Sequence, residues 1–115
     1  MSDTFTVVVT HHPQSTVIAV TGEMDLTTCP RVDEACTVLP VGGKTLRLDL
    51  SGVPFMDSTG LNLLLRLRRR VRDDGSRLVL AGLQPQPRHL LHLTEAYALF
   101  ETTAADNVGE PAGRR

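Results

Sequence analysis

The fold is decided by residues 48–61, which read Leu48-Asp49-Leu50-Ser51-Gly52-Val53-Pro54-Phe55-Met56-Asp57-Ser58-Thr59-Gly60-Leu61. The first leucines alternate with polar residues, as in a β-strand that buries one face. Glycine and proline then interrupt the strand, and the following Asp-Ser-Thr is typical of the start of a helix. The stretch therefore predicts a strand, an irregular connection and a helix. In open α/β sheets, functional sites form at this carboxyl edge of the strands.

Segments on both sides of this stretch extend the same pattern. Two runs rich in β-branched residues, 4–10 and 16–21, predict the arms of a hairpin. An apolar stripe at helical spacing, Val32 to Leu39, predicts a first helix with Thr27 or Thr28 as its cap. The remaining predicted elements are strands over 46–50, 77–81 and 99–103, and helices over 58–74 and 88–93.

The predicted order of elements is β-β-α-β-α-β-α-β. Helices that alternate with short apolar strands indicate an α/β domain whose mixed, mainly parallel sheet is packed with helices. Only the first hairpin has to be antiparallel. We expect one domain over residues 1–104. Residues 105–115 contain Gly, Pro and charges but no apolar stripe, so we expect a disordered C-terminal tail.

Composition excludes several classes of function. The chain has 115 residues, a formal net charge of −1 and 3% aromatic residues. It therefore lacks both the excess of basic residues and the rings for base stacking that nucleic-acid binding requires. No apolar run is long enough to span a membrane, and residues 1–4 do not resemble a signal peptide. We expect a cytoplasmic protein that binds neither nucleic acid nor membrane directly.

Cysteines and histidines predict no metal or cofactor site. Cys29 and Cys36 are seven positions apart, which on a helix means about 10.5 Å along the axis, too far for a disulfide. We interpret them as reduced thiols. His89 and His92 would share a helix face, but no third ligand with suitable spacing accompanies them.

Ser58 is the candidate for chemistry. A hydroxyl at a helix N-terminus can carry a phosphate, because the unpaired amides there can hold its oxygens. The simplest alternative is that Ser58 or Thr59 only caps the helix. A nucleophilic serine needs a base, and neither a nearby histidine nor a G-x-S-x-G motif is present. Asp57-Ser58-Thr59-Gly60 has one residue too many for the Asp-Thr/Ser-Gly of aspartic proteases. We therefore predict that the chain is not an enzyme.

The predicted helix after Ser58 is rich in arginine in its second half. Two interpretations stay open for these cations: a solvated face close to the negative end of the helix dipole, or a basic surface that meets an acidic partner. The residues concerned are Arg66, Arg68, Arg69, Arg70 and Arg72.

From Phe5 to Thr103 the sequence resembles a STAS domain, specifically the bacterial anti-sigma factor antagonists. Gly22-Glu23-Met24-Asp25-Leu26 resembles the family's Gly-Glu-Leu-Asp turn, and residues 48–61 resemble its phosphorylation loop. Residues 91–96, followed by Leu99-Phe100, resemble its third helix and closing turn. At Glu95 the family often has Gly, and it usually ends in a further helix that residues 104–115 do not match.

The resemblance implies a mechanism. Ser58 would be phosphorylated by an anti-sigma factor with serine-kinase activity. The unphosphorylated chain would bind that partner and so release a sigma factor, and a serine phosphatase would restore phospho-Ser58 to serine. The implied partner-binding residues are Asp25, Asp57, Ser58, Thr59, Gly60 and Asn62. Asp25 is expected close to Ser58.

The resemblance also implies a chain that is monomeric when free. Two alternatives stay open. One is a STAS scaffold or adaptor module of the stressosome type. The other is a STAS domain that binds a small ligand, a nucleotide or a lipid, at the same helix N-terminus.

Overall fold

The computed structural model describes residues 5–37 and 43–104. Several sequence predictions fall outside the described residues: Thr4 at the start of the first strand, Leu39 in the stripe of the first helix, and the tail 105–115.

Five strands and three helices alternate in the predicted order, which confirms the fold class. The strands are β1 (Thr6–His11), β2 (Ser15–Thr21), β3 (Thr45–Gly52), β4 (Arg77–Ala81) and β5 (Glu101–Thr103). The helices are α1 (Cys29–Thr37), α2 (Ser58–Asp73) and α3 (Pro85–Leu93), and a 3₁₀ turn covers Tyr97–Leu99.

The strands form one sheet in the order β1-β2-β3-β4-β5. β1 pairs antiparallel with β2, and every other pair is parallel, as the sequence predicted. Each parallel neighbour is reached through a helix, and right-handed crossovers in one direction place these helices on one face of the sheet. The carboxyl ends of β2, β3 and β4 therefore share one edge, hereafter the carboxyl edge.

The core lies between this sheet and the helices. In β3, Leu46, Leu48 and Leu50 are fully buried, whereas the alternate residues Arg47 and Asp49 are only partly buried. The leucines whose alternation predicted the strand thus form the face of β3 that packs against the helices. Among the described helices, none is long and apolar enough to cross a membrane.

Several predicted boundaries were wrong by one to three residues, and two of them have a clear physical reason. Helix α3 begins at Pro85, three residues before the predicted start at Arg88, because proline fits the first turn of a helix, where its missing N–H is not needed. The last strand begins at Glu101 instead of Leu99, because residues 97–99 form the 3₁₀ turn.

Helices α2 and α3 end in the same backbone motif with different residues. The amide of Ser76 donates to Val71 O at 2.9 Å after α2, and the amide of Ala96 donates to Leu91 O at 2.8 Å after α3. Such a Schellman motif places one residue in the left-handed region, which glycine adopts at no cost. That residue is Gly75 (φ 73°) after α2 but Glu95 (φ 62°) after α3.

Gly60 sets the distance between α2 and the segment before it. A β-carbon at this position would lie 2.5 Å from Met56 Cγ and 3.4 Å from Met24 Cβ. Met24 and Met56 are themselves fully buried, so neither side chain has room to move into solvent.

We expect Gly60→Ala to lower the free energy of unfolding by roughly 1 kcal/mol. Overpacking typically costs about 1–3 kcal/mol, and the better helix propensity of alanine returns only about 0.5–1 kcal/mol. Urea unfolding measures the change. Asn62→Ala, on the exposed side of the same helix, is the control and should be neutral or slightly stabilising; equal stability of both variants would contradict the close contact.

We expect Glu95→Gly to raise the free energy of unfolding by roughly 1 kcal/mol, because it removes a non-glycine residue from the left-handed region. Thermal or urea unfolding measures this. Glu34→Gly, inside α1, is the matched control and should lose roughly 0.5–1 kcal/mol. A loss of stability in Glu95→Gly would show that the side chain of Glu95 outweighs the backbone strain.

Candidate functional site

The carboxyl edge is organised by a short parallel bridge between Met24 and Met56. The amide of Met24 donates to Phe55 O at 3.0 Å, and the amide of Asp57 donates to Met24 O at 3.2 Å. Asp25 directly follows one side of the bridge and Asp57 the other. The two acidic residues therefore lie on the same edge, next to the start of α2.

Ser58 is the first residue of α2, and it is exposed. The residue that caps the helix is Asp57, whose Oδ1 accepts from the amides of Thr59 at 2.9 Å and Gly60 at 3.4 Å. The alternative that Ser58 or Thr59 caps α2 is therefore wrong. Within residues 5–37 and 43–104, Ser58 Oγ makes no hydrogen bond, so this hydroxyl is available to a second molecule.

The amides at the N-terminus of α2 are less available to a phosphate than the sequence predicted. The amides of Thr59 and Gly60, which were expected to be unpaired, already donate to Asp57. A phosphate on Ser58 would therefore share this helix end with a carboxylate that occupies two of its donors. The helix dipole attracts the phosphate and Asp57 repels it, so neither effect dominates.

Asp25 shapes the turn that leads into α1. Its Oδ1 accepts from the amide and the hydroxyl of Thr27, at 3.0 and 2.8 Å, and from the amide of Thr28 at 3.1 Å. The structure thus gives to Asp25 the capping role that the sequence analysis assigned to Thr27 or Thr28. The hydroxyl of Thr28 instead donates to Glu23 O at 2.7 Å. Donation by the Thr27 hydroxyl is the main reason that the pKa of Asp25 is lowered, so the carboxylate stays charged at neutral pH.

Gln86 holds the loop that precedes Ser58. Its Oε1 accepts from the amide of Met56 at 2.8 Å, and its Nε2 donates to Met56 O at 3.0 Å. A second glutamine, Gln84, donates to Ser51 O at 2.7 Å. The start of α3 therefore fixes the backbone on which Asp57 and Ser58 are presented. The sequence analysis missed this contact, because a glutamine between two prolines carries no signal of a partner 30 residues away.

The other predicted partner-binding residues lie in different environments. Asn62 is exposed and lies four residues after Ser58, hence on the same side of α2. Thr59 is partly buried, and Gly60 is buried against Met56. The structure gives Gly60 a packing role, and its contact with a partner stays a prediction.

Two exposed apolar residues near Ser58 were also missed. Leu26, in the turn after Asp25, leaves 74% of its surface exposed, and Phe55 leaves 41%. Leu26 also borders a cavity of about 160 Å³ between α1 and α2, hereafter the α1–α2 groove. Its lining residues are Leu26, Cys29, Pro30, Asp33, Thr59 and Arg66.

The cysteines are free and buried. Burial raises the pKa of both Cys29 and Cys36 to about 11, so each is a neutral thiol at physiological pH. Among residues 5–37 and 43–104, no group of three His, Cys, Asp or Glu side chains could hold a metal ion.

Several arginines of α2 have structural partners. Arg70 donates to Cys36 O at the end of α1, and Arg68 Nε donates to Leu99 O at 2.8 Å. Arg66 lies 3.7 Å from Asp33. The arginine-rich half of α2 therefore ties the helix to α1 and to the 3₁₀ turn, a role that neither interpretation from the sequence included. Arg69 and Arg72 remain exposed.

Comparison with known proteins identifies the family of the chain. The chain is 42% identical over 85 residues to an anti-sigma-B factor antagonist of Listeria monocytogenes, covering 73% of this chain and 75% of that protein. It is 31% identical over 115 residues to an anti-sigma-F factor antagonist of Mycobacterium tuberculosis, covering 97% and 94% of the two chains. The crystal structure of an anti-sigma factor antagonist from Mycobacterium paratuberculosis superposes with a TM-score of 0.73 at 28% identity, covering 87% and 86% of the chains. The family model for the STAS domain matches residues 6–110. The chain therefore belongs to the STAS domain family and, within it, to the anti-sigma factor antagonists.

Proposed function

We propose that this chain is a phosphorylatable protein–protein switch. Unmodified, it binds an anti-sigma factor that has serine-kinase activity, and a sigma factor is released. The kinase phosphorylates Ser58 and ends the interaction, and a serine phosphatase reverses the modification. The observation that carries this proposal is the exposed Ser58 hydroxyl, which is free because Asp57 caps the helix in its place.

Because Asp57 caps the helix and Ser58 carries the free hydroxyl, modification of Ser58 does not remove a hydrogen bond of the fold. The carboxylate of Asp57 satisfies the amides of Thr59 and Gly60 whether or not Ser58 carries a phosphate. A phosphate adds about −1.5 to −2 charges near neutral pH. At an exposed helix start the dipole favours such a charge by about 0.3–1 kcal/mol, which the repulsion from Asp57 offsets. The fold should therefore change little on phosphorylation.

A docked partner would respond strongly to the same charge. In the complex, the phosphate would have to lose its water beside the carboxylates of Asp57 and Asp25. Burying an unpaired charge costs about 3–5 kcal/mol, which corresponds to a loss of affinity of at least a hundredfold. We therefore propose that phosphorylation blocks binding locally, without a global change of conformation.

In this scheme the chain itself catalyses nothing. The kinase forms the phosphate ester at Ser58, and the phosphatase hydrolyses it. The surface proposed to contact the kinase consists of Asp25, Asp57, Ser58, Thr59 and Asn62. Gly60 lies beneath this surface and packs against Met56.

We expect Ser58→Asp to bind the cognate anti-sigma kinase at least a hundredfold more weakly than the wild type, and Ser58→Ala to bind normally but resist inactivation by ATP. Isothermal titration calorimetry measures the affinities, and circular dichroism melting should be near wild type for both variants. Thr10→Asp introduces the same charge at an exposed position near the opposite edge of the sheet and should bind normally. Wild-type affinity of Ser58→Asp would contradict the switch.

Two substitutions of Asp25 separate its charge from its hydrogen bonds. Asp25→Ala removes the acceptor of the turn, and we expect it to lower the free energy of unfolding by about 0.5–2 kcal/mol. Asp25→Asn keeps an acceptor oxygen and should melt close to the wild type. If the carboxylate contacts the partner, Asp25→Asn should still weaken binding by about tenfold or more. Normal binding by Asp25→Asn would show that Asp25 acts only through the turn.

A further inference from the structure

We propose that the α1–α2 groove is the anchor point of the anti-sigma factor: it takes one apolar side chain of that partner, with a basic side chain next to it facing Asp25. This inference rests on the proposed function and names the contact that gives the interaction its affinity. It adds Leu26, which lies outside the phosphorylation loop, to the contact surface.

The groove is continuous with the region around Ser58. Thr59, the residue after Ser58, lines one side, and Leu26, the residue after Asp25, lines the other. Pro30 and the buried Cys29 supply further apolar wall. The groove therefore lies next to the residue that carries the candidate hydroxyl, where a partner that contacts Ser58 can also reach it.

Leu26 is held in its exposed position by the turn that carries it. The hydrogen bonds of Asp25 Oδ1 to Thr27 and Thr28 fix the backbone on both sides of Leu26. An apolar side chain presented on a fixed backbone loses little conformational entropy when a partner covers it. Leu26 is also the most exposed large apolar residue of the described chain, so covering it gains the most apolar contact.

The charges around the groove define the occupant. On the Ser58 side the rim carries the carboxylates of Asp25 and Asp57, both close enough to add to burial in raising the pKa of the lining residue Cys29. At the far end Asp33 lies 3.7 Å from Arg66, so that the only cation lining the groove in the described chain has a carboxylate beside it. An acidic rim around an apolar groove fits an apolar residue flanked by lysine or arginine. Two copies of this chain would bring their acidic rims together, which disfavours self-association through the same surface.

The test compares two leucines of similar exposure. Leu26→Ala should bind the cognate anti-sigma kinase about tenfold more weakly and Leu26→Asp about a hundredfold more weakly. Leu93→Asp, at a leucine that is 67% exposed at the end of α3, is the matched control and should bind within twofold of the wild type. All three should melt near the wild-type temperature, since neither leucine belongs to the core.

Kinase kinetics give a second measurement. If the groove anchors the kinase and takes no part in phosphate transfer, Leu26→Asp should raise KM for Ser58 phosphorylation by about a hundredfold while kcat at saturation stays unchanged. A fall in kcat with an unchanged KM would overturn the anchoring role.

The outcomes separate the groove from the switch. If Ser58→Asp loses the partner but Leu26→Asp binds within twofold of the wild type, the groove inference is wrong and the switch stands. If Ser58→Asp binds normally, the proposed function itself is wrong. If Leu93→Asp weakens binding as much as Leu26→Asp, the effect is not specific to the groove and the inference fails. A dimer of the free chain that Leu26→Asp dissociates in light scattering would replace the kinase by a second copy as the occupant.

Discussion

Two backbone hydrogen bonds between Met24 and the segment 55–57 hold together the two loops that carry Asp25 and Asp57 at the carboxyl edge. They join the connection between β2 and α1 to the loop after β3, two parts of the chain that lie outside the strands. Because both methionines are fully buried, the residues that follow them, Asp25 and Asp57, come to the surface. The close contact of Gly60 with Met56 then fixes how near α2 can begin. The position of Ser58 is thus a consequence of the packing of Met56, two residues earlier.

Those parts of the fold that follow a periodic or local sequence pattern could be predicted from the sequence. The alternating leucines of β3, the β-branched hairpin and the Asp-Ser-Thr helix start each carry a local signal, so element order, sheet type and the exposed start of α2 were predictable. The individual residues that accept hydrogen bonds at the helix starts were harder to predict. Asp57 and Asp25 accept hydrogen bonds that the sequence analysis had assigned to neighbouring hydroxyl residues, because Asp, Ser and Thr are all good acceptors at helix starts and only geometry distinguishes them.

What could not be predicted depends on contacts between distant residues. Gln86 binds both backbone groups of Met56 across 30 positions, and Arg70 reaches from α2 to the last turn of α1. Neither contact leaves a periodic pattern in the sequence. The exposure of Leu26 was hidden for a related reason: a single leucine after a turn reads as core until the neighbouring helices are placed. The sequence therefore gave no indication of the apolar part of the candidate interface, while its acidic and hydroxyl parts were predicted and stay predictions.

The capping of α2 by Asp57 also bears on how such a protein can change over evolution. Because the neighbouring aspartate satisfies the amides of Thr59 and Gly60, the side chain at position 58 contributes no hydrogen bond to the described fold, and we expect this position to tolerate replacement. If the proposed switch operates, a single substitution of this side chain would leave a folded chain whose regulatory state is permanently set. Duplicated copies could in this way diverge in one step into a constitutive activator or a copy that no longer binds the partner, before any other residue of the domain has to adapt.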